Sequence, residues 1–303
     1  MLLPRTLGAV LLLAAGACID LRAFPSESIV DSPRVLAVVA EPPEVTPGHG
    51  VTLTPLIAHA EHVSIQYLVC GTFDAPFGGG GAQFGEMEEE ECSDGALLRG
   101  SGPSWTVPVA ATEALWSNSE LAETILGGTL PRETIETVRT SVGLPVLVEL
   151  NIEADDRELR AVKRVLLSEK TQPNANPPRP RFRFGEIDVE PDPDSVWDCR
   201  AGQALVVRRG KAVEITPATE DGQEPWVERY PVFNSRGELE ERDERAFYSW
   251  FASGGEFESH VTRAPLRNQV WTAPNQAGDE RIWLVVRDGH GGTSACRFDV
   301  RVE

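Results

Sequence analysis

The stretch IWLVVRDGHGGTSACRFDVRV, residues 282–302, decides how the chain folds. Ile282, Leu284 and Val286 alternate with Trp283 and Val285, the two-residue period of a β-strand. Asp288-Gly289 and the glycine-rich Gly289-His290-Gly291-Gly292 supply turn chemistry, and Ser294 to Val302 reads as the closing strand of a hairpin. Upstream, VWTAP (Val270 to Pro274) and FYSWFASGG (Phe247 to Gly255) are further aromatic and β-branched runs, ended by proline or glycine.

The run FYSWFASGG is similar to the central strand of polycystic-kidney-disease-type and related immunoglobulin-like repeats, in which an aromatic-x-Trp-x strand ends in a glycine turn. The resemblance extends over about Phe233 to Val302 and implies that Trp250 is the core tryptophan of a β-sandwich. Those repeats carry acidic residues in the turn after the tryptophan. Ala252 and Ser253 stand there in this chain, so no cation site is expected at that turn. The first half carries strand signals at Arg34 to Ala40, Val51 to Ala58, His62 to Cys70, Leu144 to Ile152 and Arg157 to Leu167. The last two are joined through Ala154-Asp155-Asp156. This order looks like the immunoglobulin-like modules of bacterial surface lipoproteins. The expected fold class is therefore mainly β, two immunoglobulin-like β-sandwich domains, the first with a short helical insertion between Thr112 and Val142. In that insertion Ser119 can cap a turn, and Pro131 fits a first helical position with Ile135 and Val138 facing inward.

Domain limits follow from composition. Residues 1–17 read as a signal peptide: Arg5, an apolar run too short to span a bilayer, then Ala15-Gly16-Ala17. LLLAAGAC resembles the lipobox of bacterial lipoproteins, which makes Cys18 the lipidation site and the membrane a partner through that lipid. Residues 18–33 then form a tether, 34–170 the first domain, 171–181 (TQPNANPPRPR) a proline-rich semi-rigid spacer, and 182–303 the second domain.

Removing Cys18 from the five cysteines leaves Cys70, Cys92, Cys199 and Cys296, an even set suited to disulfides in an oxidising compartment. Three pairings are open. The spacer divides the four into Cys70 with Cys92 and Cys199 with Cys296, the economical assignment. None has a second cysteine at zinc-ligand spacing, so no structural metal is expected.

A net charge of −19 argues against nucleic acid, which demands concentrated positive charge. The run Glu86, Glu88, Glu89, Glu90 and Glu91 offers carboxylates to a cation, but it lacks the alternation and central glycine of a calcium loop and reads as solvated. His59 and His62 are the one close histidine pair and have no third ligand in view. Glu190, Asp192 and Asp194 alternate with prolines in a linker-like stretch. There is no GxSxG, HExxH or Gly-rich loop followed by Lys-Ser/Thr. No catalytic residue and no cofactor is expected.

Of the seven tryptophans, Trp105, Trp116, Trp226 and Trp271 have no ready place in the strand pattern. Trp226 and Tyr230 follow the turn Glu220-Asp221-Gly222 and suggest a groove there, with packing as the plainer reading. The function expected is a non-enzymatic cell-envelope lipoprotein, held in the outer membrane, that displays two sandwiches for protein binding, adhesion or scaffolding. The alternative is a cell-surface carbohydrate-binding module; a hydrolase with a dispersed site ranks last.

Overall fold

A computed structural model describes residues 27–70, 96–117, 132–218, 224–234 and 238–303. The chain forms two β-sandwiches. In the first, β1 (Arg34–Glu41), β3 (Val51–Ala58) and β6 (Trp105–Val107) make one sheet. The facing sheet runs β2-β8-β7-β4-β5, with β2 (Glu44–Val45), β4 (Val63–Cys70), β5 (Ala96–Ser101), β7 (Leu144–Ala154) and β8 (Arg157–Leu167). Strict alternation on β7 sends Leu144, Val146, Val148, Leu150, Ile152 and Ala154 into the core, where they meet Leu53 and Tyr67. β7 and β8 pair along their full length, so that Ala154 faces Arg157 across a two-residue turn. Asp155 takes the left-handed φ of 54° in that turn, and its carboxylate accepts the amide of His62 at 3.0 Å.

Helix α1 (Val109–Ser117) starts before the expected insertion, and α2 (Arg132–Thr137) continues into a wider turn, Val138–Val142. Val138 is buried and Ile135 packs on the same core, as the sequence suggests; Ser119 and Pro131 lie outside the described residues.

The second sandwich opposes two sheets. One has the order β11-β10-β9-β13-β19-β17, where β9 is Phe182–Phe184, β10 Ile187–Pro191, β11 Cys199–Ala201, β13 Ala212–Pro217, β17 Glu256–Phe257 and β19 Gln269–Thr272. The other has the order β12-β21-β20-β16-β18, with β12 Val206–Val207, β16 Phe247–Ala252, β18 Val261–Arg263, β20 Gly278–Arg287 and β21 Thr293–Val302. Trp250 and Trp271 are completely buried between them with Phe182, Ile215, Ile282 and Leu284. The Trp250 indole donates to Thr262 Oγ1 at 2.9 Å, which meets the one polar demand of that side chain. Cys199 and Cys296 are joined by a disulfide inside this core, with Cα atoms 5.6 Å apart.

The run Ile282 to Val286 is apolar on both faces for a reason visible only in the fold. Ile282, Leu284 and Val286 enter the second core, while Trp283 and Val285 pack with Ala295 against Val30, Leu36, Ala37, Leu56 and Ala58. The surface that a strand pattern assigns to solvent is covered by the first sandwich.

Three segments reinforce this seam. Residues 27–31, expected to be tether, dock on β16: Val30 N donates to Ala252 O (2.9 Å), Ala252 N to Ser28 O (2.8 Å), and Ser28 and Val30 are both 1% exposed. The proline-rich stretch 171–181 departs from an open spacer. Asn174 is 3% exposed, its amide donating to Glu44 Oε2 at 2.6 Å and its side-chain nitrogen to Asp288 Oδ2 at 3.2 Å. Asn176 bridges Ala40 O (2.7 Å) and the Thr293 amide (2.8 Å). The prolines remove amide donors, and the two asparagines supply the polar contacts that let so irregular a segment be covered. Gly292 lacks a Cβ where one would lie 2.9 Å from Ala175 O and Pro177 Cδ, so the strap can press onto the hairpin. Finally the hairpin β14 (Arg229–Phe233) with β15 (Leu239–Asp243) reaches the first sandwich, where Phe233 packs against its core.

Candidate functional site

A groove of about 780 Å³ opens on the second sandwich beside the β16–β18 edge. Its walls come from three stretches: Glu224 to Val227, Glu244 to Ala246 just before β16, and Arg263 to Arg267 just after β18. Strand pairing fixes the geometry, because Phe247 sits opposite Arg263 in the β16–β18 register. The floor is tied to the core. Arg267 pairs with Glu224, both largely buried, and the Tyr248 hydroxyl donates to Glu224 Oε1 at 3.1 Å. Burial, followed by the Glu224 charge, holds the Tyr248 phenol above its ordinary range, so it remains a donor. The Arg267 carbonyl accepts from Thr262 Oγ1 at 2.9 Å, the same hydroxyl that receives the Trp250 indole.

The rim differs. Arg245 and Arg263 are exposed, and neither guanidinium has a partner among the described residues. Leu266, at the tip of the turn, is 82% exposed.

Behind the groove the seam is rich in ionisable groups. Glu244 is buried, accepts the Glu228 amide at 3.0 Å and lies 3.3 Å from His290 Nδ1. The His290 ring stacks on Tyr230 with centroids 3.8 Å apart. Asp288 Oδ1 accepts the amides of His290 (2.6 Å), Gly291 (2.9 Å) and Gly292 (3.0 Å), which shapes the β20–β21 turn. Burial, then repulsion from Glu244, raises the Asp288 pKa. Lys163, donating to Gly291 O at 2.6 Å, is pushed down to about 7 by burial. Arg287 is lowered to about 10 by the same cause and donates to Leu36 O and Ser249 Oγ. The histidine and carboxylates that a search for acid–base chemistry would seize on thus converge, but inside a packed seam. Their partners there are backbone amides, the Asn174 side chain, a tyrosine face and one another.

Other residues singled out in the sequence take structural roles. His59, with φ 54°, sets its ring 5.9 Å from Trp283 in the seam, and His62 stands 3.7 Å from Asp155. Glu190 and Asp192 lie 3.7 Å from Arg181 and Arg200, and Asp194 donates its amide to Asp192. Cys70 is disulfide-bonded; Cys18, Cys92 and the acidic run from Glu86 to Glu91 lie outside the described residues. Among the described residues no group of three or more His, Cys, Asp or Glu is arranged to hold a metal, and no helix is long and apolar enough to cross a membrane.

None of the seven tryptophans is exposed. Trp105 and Trp116 pack on the first core, Trp226 on the second and Trp197 on the seam. Trp226 and Tyr230, suggested as groove residues, are packed instead, on the second core and on His290, and neither lines the groove, whose rim is arginine and leucine. Sequence reasoning passed over Arg263-Ala264-Pro265-Leu266-Arg267, whose two arginines around an apolar turn were the available signal.

No protein family and no curated protein matches the sequence. Among solved structures, the chain is similar to the Bacteroides ovatus mixed-linkage glucan utilization locus protein SGBP-B, in complex with a mixed-linkage heptasaccharide. The identity is 10%, 90% of this chain and 48% of that one are covered, and the TM-score is 0.19. The chain therefore spans about half the length of SGBP-B. The D0-D1 domain of intimin matches at 7% identity over 88% of this chain and 98% of that one, with TM-score 0.21. Murine CEACAM1b matches at 8% over 89% and 99%, with TM-score 0.20. Likeness at this level says nothing of activity or ligand.

Proposed function

We propose that the protein is a non-enzymatic lipoprotein of the bacterial cell envelope, held in the outer membrane through a lipid on Cys18, that presents its two sandwiches for binding or scaffolding. The observation that carries the binding role is the contrast between seam and groove. In the seam, buried charges are turned toward internal partners, whereas the rim of the groove keeps two guanidinium groups and a leucine open to an incoming surface. The disulfide between Cys199 and Cys296 fits an exported protein. Support for the anchor comes from the apolar run and the small residues before Cys18. A protein partner is favoured over a polysaccharide because the tryptophans that would stack on sugars are spent on packing.

Intact mass spectrometry of the protein from its native membrane fraction, beside a Cys18→Ala variant, tests the anchor. The expected result is a chain beginning at Cys18 with a lipid-sized addition, and a soluble, unlipidated variant. A chain without lipid, or a variant that stays on the membrane, would contradict it.

A further inference from the structure

We infer that the groove between Glu224 and Arg267 binds a short acidic peptide segment carrying one or two carboxylates and an aliphatic side chain, with Arg245 and Arg263 as the carboxylate receptors. The inference rests on the binding role proposed above and names the ligand class of that site. Three arginines and two glutamates line the groove, but they are not equivalent. Arg267 is neutralised by Glu224 on the floor, and Glu244 is turned toward the Glu228 amide and His290. What faces solvent is therefore the pair Arg245 and Arg263.

A guanidinium fork matches a carboxylate in plane and spacing, making two parallel charge-assisted hydrogen bonds. The floor is preorganised, since the Arg267 carbonyl is bonded to Thr262 and through it to the buried Trp250. The rest of the lining is aliphatic: Val227, Ala246, Ala264, Pro265 and the exposed Leu266. Such walls accept a leucine or valine side chain but offer no ring to a sugar. The whole protein, at −19, repels polyanions over distance. That field leaves room for a local carboxylate pair and selects against nucleic acid or long acidic polymers.

The test is fluorescence anisotropy with a fluorescein-labelled Leu-Glu-Glu-Leu peptide against the full chain in detergent micelles. Saturable binding is expected, weakened about tenfold by either Arg245→Ala or Arg263→Ala. The Gln-for-Glu peptide should not bind, and Arg157→Ala, exposed on the first sandwich, should bind as the parent does. Both groove arginines are exposed, so thermal unfolding of the variants should match the parent. Absence of binding up to about 1 mM peptide, equal binding by the double variant, or tighter binding of tetragalacturonic acid than of the peptide would each overturn the inference. Failure here leaves the lipid anchor standing, because the mass measurement reads that independently.

Discussion

Replacing Cys199 and Cys296 together with alanine is expected to lower the unfolding free energy by about 4–5 kcal/mol, the loop-closure entropy of a bridge of this span. The two residues are 97 positions apart, so the bridge encloses most of the second sandwich. It also joins the short strand β11 to the long strand β21, elements from opposite sheets. Without it, that junction keeps apolar contact, the ion pair of Arg297 with Asp198 and the Arg297 amide bonded to Trp197 O at 2.7 Å. A domain's net stability is commonly about 5–15 kcal/mol, so the variant should be close to unfolding at physiological temperature. Urea unfolding of parent and variant, under oxidising conditions, reads the difference. A change below about 1 kcal/mol would mean that the unfolded chain is not constrained by this bridge.

The second large effect is a pH dependence set by Lys163. Burial pushes its pKa down from 10.5 to about 7, so the folded protein holds the ammonium less tightly than the unfolded chain does. Between those two values the unfolded state binds more protons. Stability therefore rises with pH across this window and the contribution is flat below about 7, the reverse of a lysine that gains a partner. Integrated from pH 7 to 9.5, the gain is about 3 kcal/mol. Lys163→Met removes the titration and leaves Asp288 with its three backbone amides and Asn174. The expected outcome is that parent stability climbs relative to Lys163→Met as pH rises, measured by urea unfolding at pH 7 and 9.5. Parallel behaviour of the two proteins would show that the amine keeps its ordinary proton affinity in the seam.

Much of the strand content was legible because alternation survives wherever one face meets a core: β7, β8 and β21 fall within a residue or two of the pattern, whereas β20 starts at Gly278, four residues before the alternation from Ile282 that marked it. Trp250, identified through its resemblance to a core tryptophan, is completely buried. The disulfide assignment was legible for Cys199 and Cys296, since a composition break separates the pairs. What sequence could not show was the seam. Trp283 and Val285 were placed only as the alternate face of their strand, because a single strand carries no information about what covers its second face. Asn174 and Asn176 in a proline-rich run read as a spacer, for their contacts lie more than a hundred residues away on β1 and the β20–β21 turn. The groove was legible only in part. Trp226 and Tyr230 pointed to the adjoining segment but pack away from the groove, and its arginines come from separate segments that strand pairing brings together.

The central claim is that the two sandwiches form one clamped body, secured by residues 27–31 and the strap at 171–181. Residue-resolved hydrogen exchange of the Val30 and Asn174 amides tests it most directly. The Val30 amide is bonded to Ala252 O of the second sandwich at 2.9 Å, and the Asn174 amide holds the strap to Glu44 Oε2 of the first at 2.6 Å while its side chain reaches Asp288 of the second. If the clamp holds, they exchange slowly, on the timescale of core amides such as Trp250. Exchange at the rate of an open chain, with β16 and β20 still protected, would mean that the sandwiches hang from a free linker and that the seam does not form.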